Sequence, residues 1–252
     1  MGCCHSRETN YEPCHSKDIS VLYPKGLPQK LPQLTAQAKE LGIKELKQLE
    51  DDRISDQLSY VELLDRENNW QAMDSNDICS VEKICGSKFH PSFPVTKITI
   101  NFETVVPLQI LIDQLNEPTK RIKWDNNFTQ INILEGNYIE DFICQQKLKI
   151  FMYKGEYLER KVTTYQGDSV IIFSYSIDHP QYTPVKGYTR GYILLGVTYI
   201  KVENGVSKVV VYNQIDPNCK IASLTTSIGV KQLKLWAKKY YKSVTRVASN
   251  TK

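Results

Sequence analysis

The residues with the most distinctive chemistry stand in the stretch MGCCHSRE, where Gly2 follows a methionine and Cys3 and Cys4 follow Gly2. Met-Gly-x-x-x-Ser, completed here by Ser6, is the pattern for acylation of the glycine once the methionine is removed. Two thiols beside it lie where a first acyl chain would present them for palmitoylation. The energetics explain the pairing of signals. At ~0.8 kcal/mol per buried methylene, one myristoyl chain holds a protein to a bilayer only marginally, and a second makes residence long-lived. The same segment contains Cys-His-Ser twice, at Cys4-His5-Ser6 and Cys14-His15-Ser16, which could offer two sulfurs and two imidazoles to a soft metal. It lacks the apolar residues needed to close a small domain around an ion. Acylation at Gly2, Cys3 and Cys4 is therefore the expectation, with no metal and no cofactor.

The rest of the chain offers no reactive constellation. The four histidines are His5, His15, His90 and His179; two fall in the first segment and two flank prolines. No nucleophile elbow, phosphate loop, His-Glu-x-x-His or paired-cysteine zinc pattern occurs, so an enzyme is not expected. The remaining cysteines, Cys79, Cys85, Cys144 and Cys219, read as free thiols of a reducing compartment. No apolar run approaches the ~18 residues of a membrane span, and no secretory h-region opens the chain. These features place the chain at the cytosolic face of a membrane, held by lipid. The formal charge of +4 is mild, and no nucleic-acid partner is expected. It is unevenly placed, however: residues 217–252 contain no Asp or Glu but carry seven lysines and Arg246.

Residues 7–34 carry Pro13, Pro24, Pro28 and Pro32 and little periodicity, so 1–34 reads as an acylated tail and linker. Fully stretched, that linker reaches on the order of 90 Å; as a coil it averages ~30 Å. Residues 35–252 read as one domain. Thr35 caps a predicted helix through AQAKELGIKELKQLE, and Ser55 a second through DQLSYVELLDREN. Eight β-rich runs follow, separated by turns such as Glu-Gly-Asn, Gln-Gly-Asp and Glu-Asn-Gly, which favour antiparallel neighbours. One helical segment interrupts them from about Thr104 to Trp124, broken near Pro118. A long helix from about Ser223 to Val244 closes the chain. Its apolar stripe is Val230, Leu233, Ala237, Tyr240 and Val244. The predicted class is α+β: a curved antiparallel β-sheet with the C-terminal helix as a lid over a hydrophobic cavity.

With that architecture the sequence resembles the StAR-related lipid-transfer (START) domain family, a helix-grip fold. The resemblance is carried by RIKWD at 121–125, the strand ladder, VVVYNQIDPNCKIASL at 209–224 and the terminal helix. It covers residues 35–245 in element order. The family's Arg-Asp-Phe/Tyr-Val motif aligns with Gly155-Glu156-Tyr157-Leu158, so its arginine is replaced. After the Asp-Pro turn, Cys219 and Ala222 replace the family's Gly and Pro. The resemblance implies one lipid in a hydrophobic tunnel and no catalysis. Phosphatidylcholine-binding members use the equivalents of Arg121 and Asp125 at the lipid phosphate and aromatic faces around the choline. Here Tyr157 matches one aromatic position; Phe142 or Cys144, and Gln214, stand at the others. Two uses of Arg121 remain open: a bidentate grip on phosphate or an ion pair fixing helix to sheet. The lysines of the last helix form either a solvated face or a contact with anionic lipid.

The functional expectation is a monomer holding one phospholipid or sterol-like lipid for transfer or sensing at the cytosolic leaflet. The alternative is a membrane-anchored scaffold of the same fold that binds proteins without a lipid. A cavity lined by Arg121 and aliphatic side chains favours phospholipid; a short uncharged one favours sterol.

Overall fold

A computed structural model describes residues 43–66, 69–84, 87–90, 93–150, 153–179, 181–219 and 227–250. The acylation candidates Gly2, Cys3 and Cys4, and the capping residue Thr35, lie outside that set.

The first described element, α1 (Ile43–Arg66), is one continuous helix rather than two. Ser55 is an exposed interior residue of it. The apolar residues Ile54, Leu58, Val61 and Leu64 keep a 3- and 4-residue spacing through that position and pack on the sheet. Tertiary burial of this stripe outweighs the weak stop signal at Ser55.

Ten strands follow the order of the sequence: β1 (Gln71–Ser75), β2 (Cys79–Ile84), β3 (Val95–Asn101), β4 (Phe128–Asn137), β5 (Asp141–Ile150), β6 (Tyr153–Gln166), β7 (Ser169–Ser176), β8 (Thr189–Arg190), β9 (Tyr192–Glu203) and β10 (Val206–Asp216). They form one sheet in the spatial order β1-β2-β3-β10-β9-β7-β6-β5-β4, with the two-residue β8 running parallel to β6. Every other neighbouring pair is antiparallel. The turn chemistry accounts for this. Asn204 and Gly205, the two residues between the paired Glu203 and Val206, both have positive φ, 53° and 75°. That is the backbone a tight hairpin with the right twist demands, and Asn-Gly supplies it at least strain. Two strands are absent from the sequence reading: the two-residue β8, too short to show a pattern, and β1, a mostly polar edge whose period-2 pattern is too weak to read and whose ladder to β2 is what orders it.

Between β3 and β4 lie α2 (Leu108–Asn116) and α3 (Pro118–Trp124). The chain from Thr104 to Val106, expected to open this helical segment, is not helical. The backbone from Phe102 is bound to Ser207 of β10 instead: Phe102 N donates to Ser207 O at 2.9 Å and Val106 N to Ser207 Oγ at 2.9 Å. The break near Pro118 is present, and Glu117 caps α3 by accepting from the amides of Thr119 and Lys120. The chain's last described helix, α4 (Ser227–Ser249), runs past Val244, where the sequence reading ended it; the expected start at Ser223 lies outside the described residues.

The sheet separates two cores. On its convex face α1 covers Ile171, Phe173, Leu195, Val197, Val210 and Tyr212. On its concave face α2, α3 and α4 pack against Ile98, Ile100, Phe102, Val170, Ile172 and Ile200. Fully burying one such aliphatic side chain is worth about 1.5–3 kcal/mol. The second core fills only part of the concave side, and the remainder is hollow.

Candidate functional site: a cavity with a charged end

Beneath the first half of α4 the concave face encloses a cavity of about 380 Å³, a volume ordinary for a small-molecule site. Strand alternation builds its walls. Leu148 and Ile150 come from β5, Ile193 from β9, Val211 and Ile215 from β10, and Leu233 and Trp236 from α4. A bulge in β9 opposite Gln214 and Ile215 lets Ile193, Gly196 and Thr198 all line the same space despite the odd interval.

The charged end is made by α3 and strands β5 and β6. Arg121 Nε and Nη2 both donate to Asp125 Oδ2, at 3.0 and 2.8 Å, one helical turn apart. Arg121 Nη1 donates to Leu115 O at 3.3 Å. The guanidinium also lies 4.6 Å from the ring centre of Trp124, 5.3 Å from Phe128 and 5.4 Å from Trp236. Asp125 is 1% exposed. So Arg121 fixes the end of α3 through Asp125 and Leu115 and lines the cavity as well. Trp124 is a packing residue, its indole donating to Gln114 O at 2.9 Å and its ring set against Tyr240.

Across from this pair, Glu159 and Lys161 of β6 and Gln146 of β5 also line the cavity. Lys161 Nζ lies 3.4 Å from Glu159 Oε1, which accepts from Gln146 Nε2 as well. The sequence reading did not pick out these residues, yet the signal was there. With Tyr157 facing inward, a period of two turns Glu159 and Lys161 inward too. Asn116, at the end of α2, completes the group.

The residues singled out from sequence fall into three groups. Arg121, Asp125 and Tyr157 line the main cavity, as does Leu233. Phe142 and Cys144 line only a side lobe of about 10 Å³, shared with Asn116, Arg121, Gln146 and Lys161. Burial, with Glu159 adding to it, pushes the Cys144 thiol well above its ordinary range. It is therefore a weak donor to Glu159 Oε1 at 3.4 Å rather than a nucleophile. Gln214 does not reach the cavity. Its amide accepts from Ser87 Oγ at 2.5 Å and donates to the carbonyls of His90 and Phe93, pinning the 87–93 loop. Neighbouring Asn213 and Ile215 line the cavity in its place, a one-residue offset that exchanges faces.

The lid departs from expectation at Ala237 and Tyr240. Ala237, Tyr240 and Val244 are fully buried in the concave core, with Tyr240 Oη donating to Leu111 O at 2.9 Å. Among the described side chains of α4, Gln232, Leu233 and Trp236 meet the cavity; that of Val230 lies outside the described residues. The physical reason is that α2 and α3 occupy the concave side under the second half of α4.

Tyr157 is held by a second buried ion pair. Glu156, fully buried, accepts from Arg190 Nη2 at 2.5 Å and Nε at 3.1 Å, and from Val185 N at 2.7 Å. This clasp carries Gly191 against the Tyr157 ring, where a Cβ would lie 2.7 Å from Cε1. Burial raises the Tyr157 hydroxyl far above its usual pKa, with Tyr153 contributing. At Gly155, where the family carries arginine, a Cβ would lie 2.5 Å from the Tyr153 ring, so tyrosine fills that space. Among the described residues no three His, Cys, Asp or Glu side chains gather as a metal set, and no helix is long and apolar enough to cross a membrane.

A curved antiparallel sheet gripping a helix over an apolar, polar-ended cavity defines the helix-grip class of binding protein. The START domain family model matches residues 54–239, and the chain belongs to that family. It is 26% identical over 133 residues to human StAR-related lipid transfer protein 6, a match covering 50% of this chain and 57% of that protein. Among solved structures, human StAR-related lipid transfer protein 5 superposes with a TM-score of 0.69 at 14% identity, over 81% of this chain and 98% of that one. Human STARD10 gives 0.65 at 19% identity, over 76% and 79%. These likenesses fix the fold.

Proposed function

We propose that the chain is a lipid-binding module that holds one phospholipid in this cavity for transfer or sensing at the cytosolic face of a membrane. The supporting observation is the combination of aliphatic walls with a buried charged end led by Arg121 and Asp125. A purely apolar guest would leave those groups unrewarded; a phosphate can take the guanidinium's paired donors. Apolar burial at ~25 cal/mol per Å² supplies the affinity. The matched relative's name, a lipid transfer protein, agrees with this reading. Native mass spectrometry of the protein isolated from its own cells is expected to show one co-purified phospholipid per chain. A ligand-free mass would favour the protein-binding scaffold instead.

The acylation pattern at Gly2, Cys3 and Cys4 would keep the module near its donor bilayer. A fatty-acid analogue should label the wild type and not Gly2→Ala; an unlabelled wild type removes the anchor from the reading. In α4 the exposed Lys231 and Leu235, with the half-buried Lys238 and Lys239, form the face suited to anionic lipid. Lys234 is already engaged, 2.5 Å from Asp74 Oδ1.

A further inference from the structure

The charged end of the cavity has two features that a phosphate alone does not explain. First, its charges balance: Arg121 and Lys161 stand against Asp125 and Glu159, all lining one space and arranged as two ion pairs. A phosphate drawing on Arg121 or Lys161 takes compensation away from a buried carboxylate, and such a group left alone is costly. Second, an acceptor stands ready. Asn116 is 3% exposed, and among the described residues nothing donates to its Oδ1. Its Nδ2 donates to Tyr138 O at 3.3 Å, which fixes the amide's orientation. Asn116 lines both the main cavity and the side lobe. It also adjoins Leu115, whose carbonyl holds Arg121. An unmet buried carbonyl oxygen calls for a donor.

Resting on the lipid-binding reading above, we infer that this end takes a zwitterionic phospholipid head ending in a primary ammonium. Asn116 Oδ1 and Glu159 receive that ammonium while Arg121 and Lys161 receive the phosphate. The three contacts of Glu159 all use Oε1, so the lone pairs of Oε2 remain for the guest. A head with one positive and one negative charge restores the balance that a phosphate alone would upset. Hydrogen-bond chemistry points the same way: a primary ammonium can donate to both acceptors, and a trimethylammonium has no N–H to give. The faces of Trp124, Phe128 and Trp236 are already turned to the guanidinium of Arg121.

The test is competitive loading. The full chain is incubated with vesicles containing equal amounts of phosphatidylethanolamine, its mono- and dimethyl derivatives, phosphatidylcholine and diacylglycerol, then reisolated, and its bound lipid is quantified. Phosphatidylethanolamine is expected to exceed phosphatidylcholine roughly tenfold, the scale of one charge-assisted hydrogen bond, with occupancy falling at each added methyl. Asn116→Leu, which keeps the side chain's length without its acceptor, should bring the ratio near one while phospholipid is still bound. Glu159→Gln should lower it in the same direction, and serves if Asn116→Leu fails to fold. Equal or better loading of phosphatidylcholine overturns the assignment, as does diacylglycerol outcompeting both or a preference that survives in both variants. A protein that emerges empty from every mixture overturns the lipid-binding reading and this one with it. A loaded protein indifferent to methylation overturns this one alone.

Discussion

Arg121→Lys is expected to cut phospholipid retention roughly ten- to hundredfold while leaving the fold in place. Loss of one charge-assisted hydrogen bond is worth ~1.5–3 kcal/mol, which converts to that range. Arginine here does three things at once: it binds Asp125 through Nε and Nη2, binds Leu115 O through Nη1, and stacks among three aromatic rings. Lysine can still neutralise Asp125, so the buried carboxylate keeps a counter-charge. It cannot also present a planar fork to a phosphate. Arg121→Leu is the contrasting variant. It leaves Asp125, 1% exposed, without its partner, and should cost about 3–5 kcal/mol in stability. Lipid bound per chain after reisolation from vesicles, measured beside urea denaturation, separates the two effects. Wild-type retention by Arg121→Lys would mean that Arg121 serves only to fix α3.

Glu156→Ala should be the most destabilising single change at the site's margin, by about 3–5 kcal/mol, because it strands the guanidinium of Arg190 in the interior. Arg190 is 9% exposed and Glu156 is fully buried; without Glu156 that guanidinium keeps the carbonyl of Tyr182, at 3.3 Å. In a chain of this size, 1 kcal/mol corresponds to roughly 2–4 °C in Tm, so a fall on the order of 10 °C is expected. The Val185 amide, which donates to Glu156 Oε2, would lose its partner as well. Replacing both members, Glu156→Leu with Arg190→Leu, should recover much of the loss, since an apolar pair of similar volume often matches a buried ion pair. The clasp also seats Gly191 on Tyr157, so Glu156→Ala should loosen the cavity wall and raise lipid loss. A Tm unchanged in Glu156→Ala would show that the pair contributes nothing.

Much of the fold was legible because its signals are local. The hairpin turns, the strands β5, β6, β7, β9 and β10, and the apolar stripe of α4 from Leu233 to Val244 each follow from residue type and spacing, and each appears at close to its expected place. Arg121 and Asp125 were picked out through the family resemblance of RIKWD, and the structure adds that they pair one turn apart at the end of α3. What the sequence could not supply was set by contacts between distant segments. Ser55 reads as a helix start until burial of Ile54, Leu58 and Val61 on the convex face carries the helix through it. Gln214 and Asn213 are neighbours with opposite fates: the alternation of β10 turns Val211, Asn213 and Ile215 to the cavity and Gln214 to the loop it binds, and the docking of the strand in the sheet sets which parity faces inward. How much of α4 roofs the cavity depended on where α2 and α3 come to rest, and they assign Ala237 and Tyr240 to the core.

The sequence by itself determined a curved antiparallel sheet and a long closing helix, because short-range sterics and periodicity act within a few residues, and it pointed to Arg121 and Asp125 as a pair only through a family resemblance. Only the tertiary structure decided that Glu159, Lys161 and Asn116 share a buried space with that pair. Which charges meet inside a cavity depends on strand register and helix docking, and no interval along the chain encodes either.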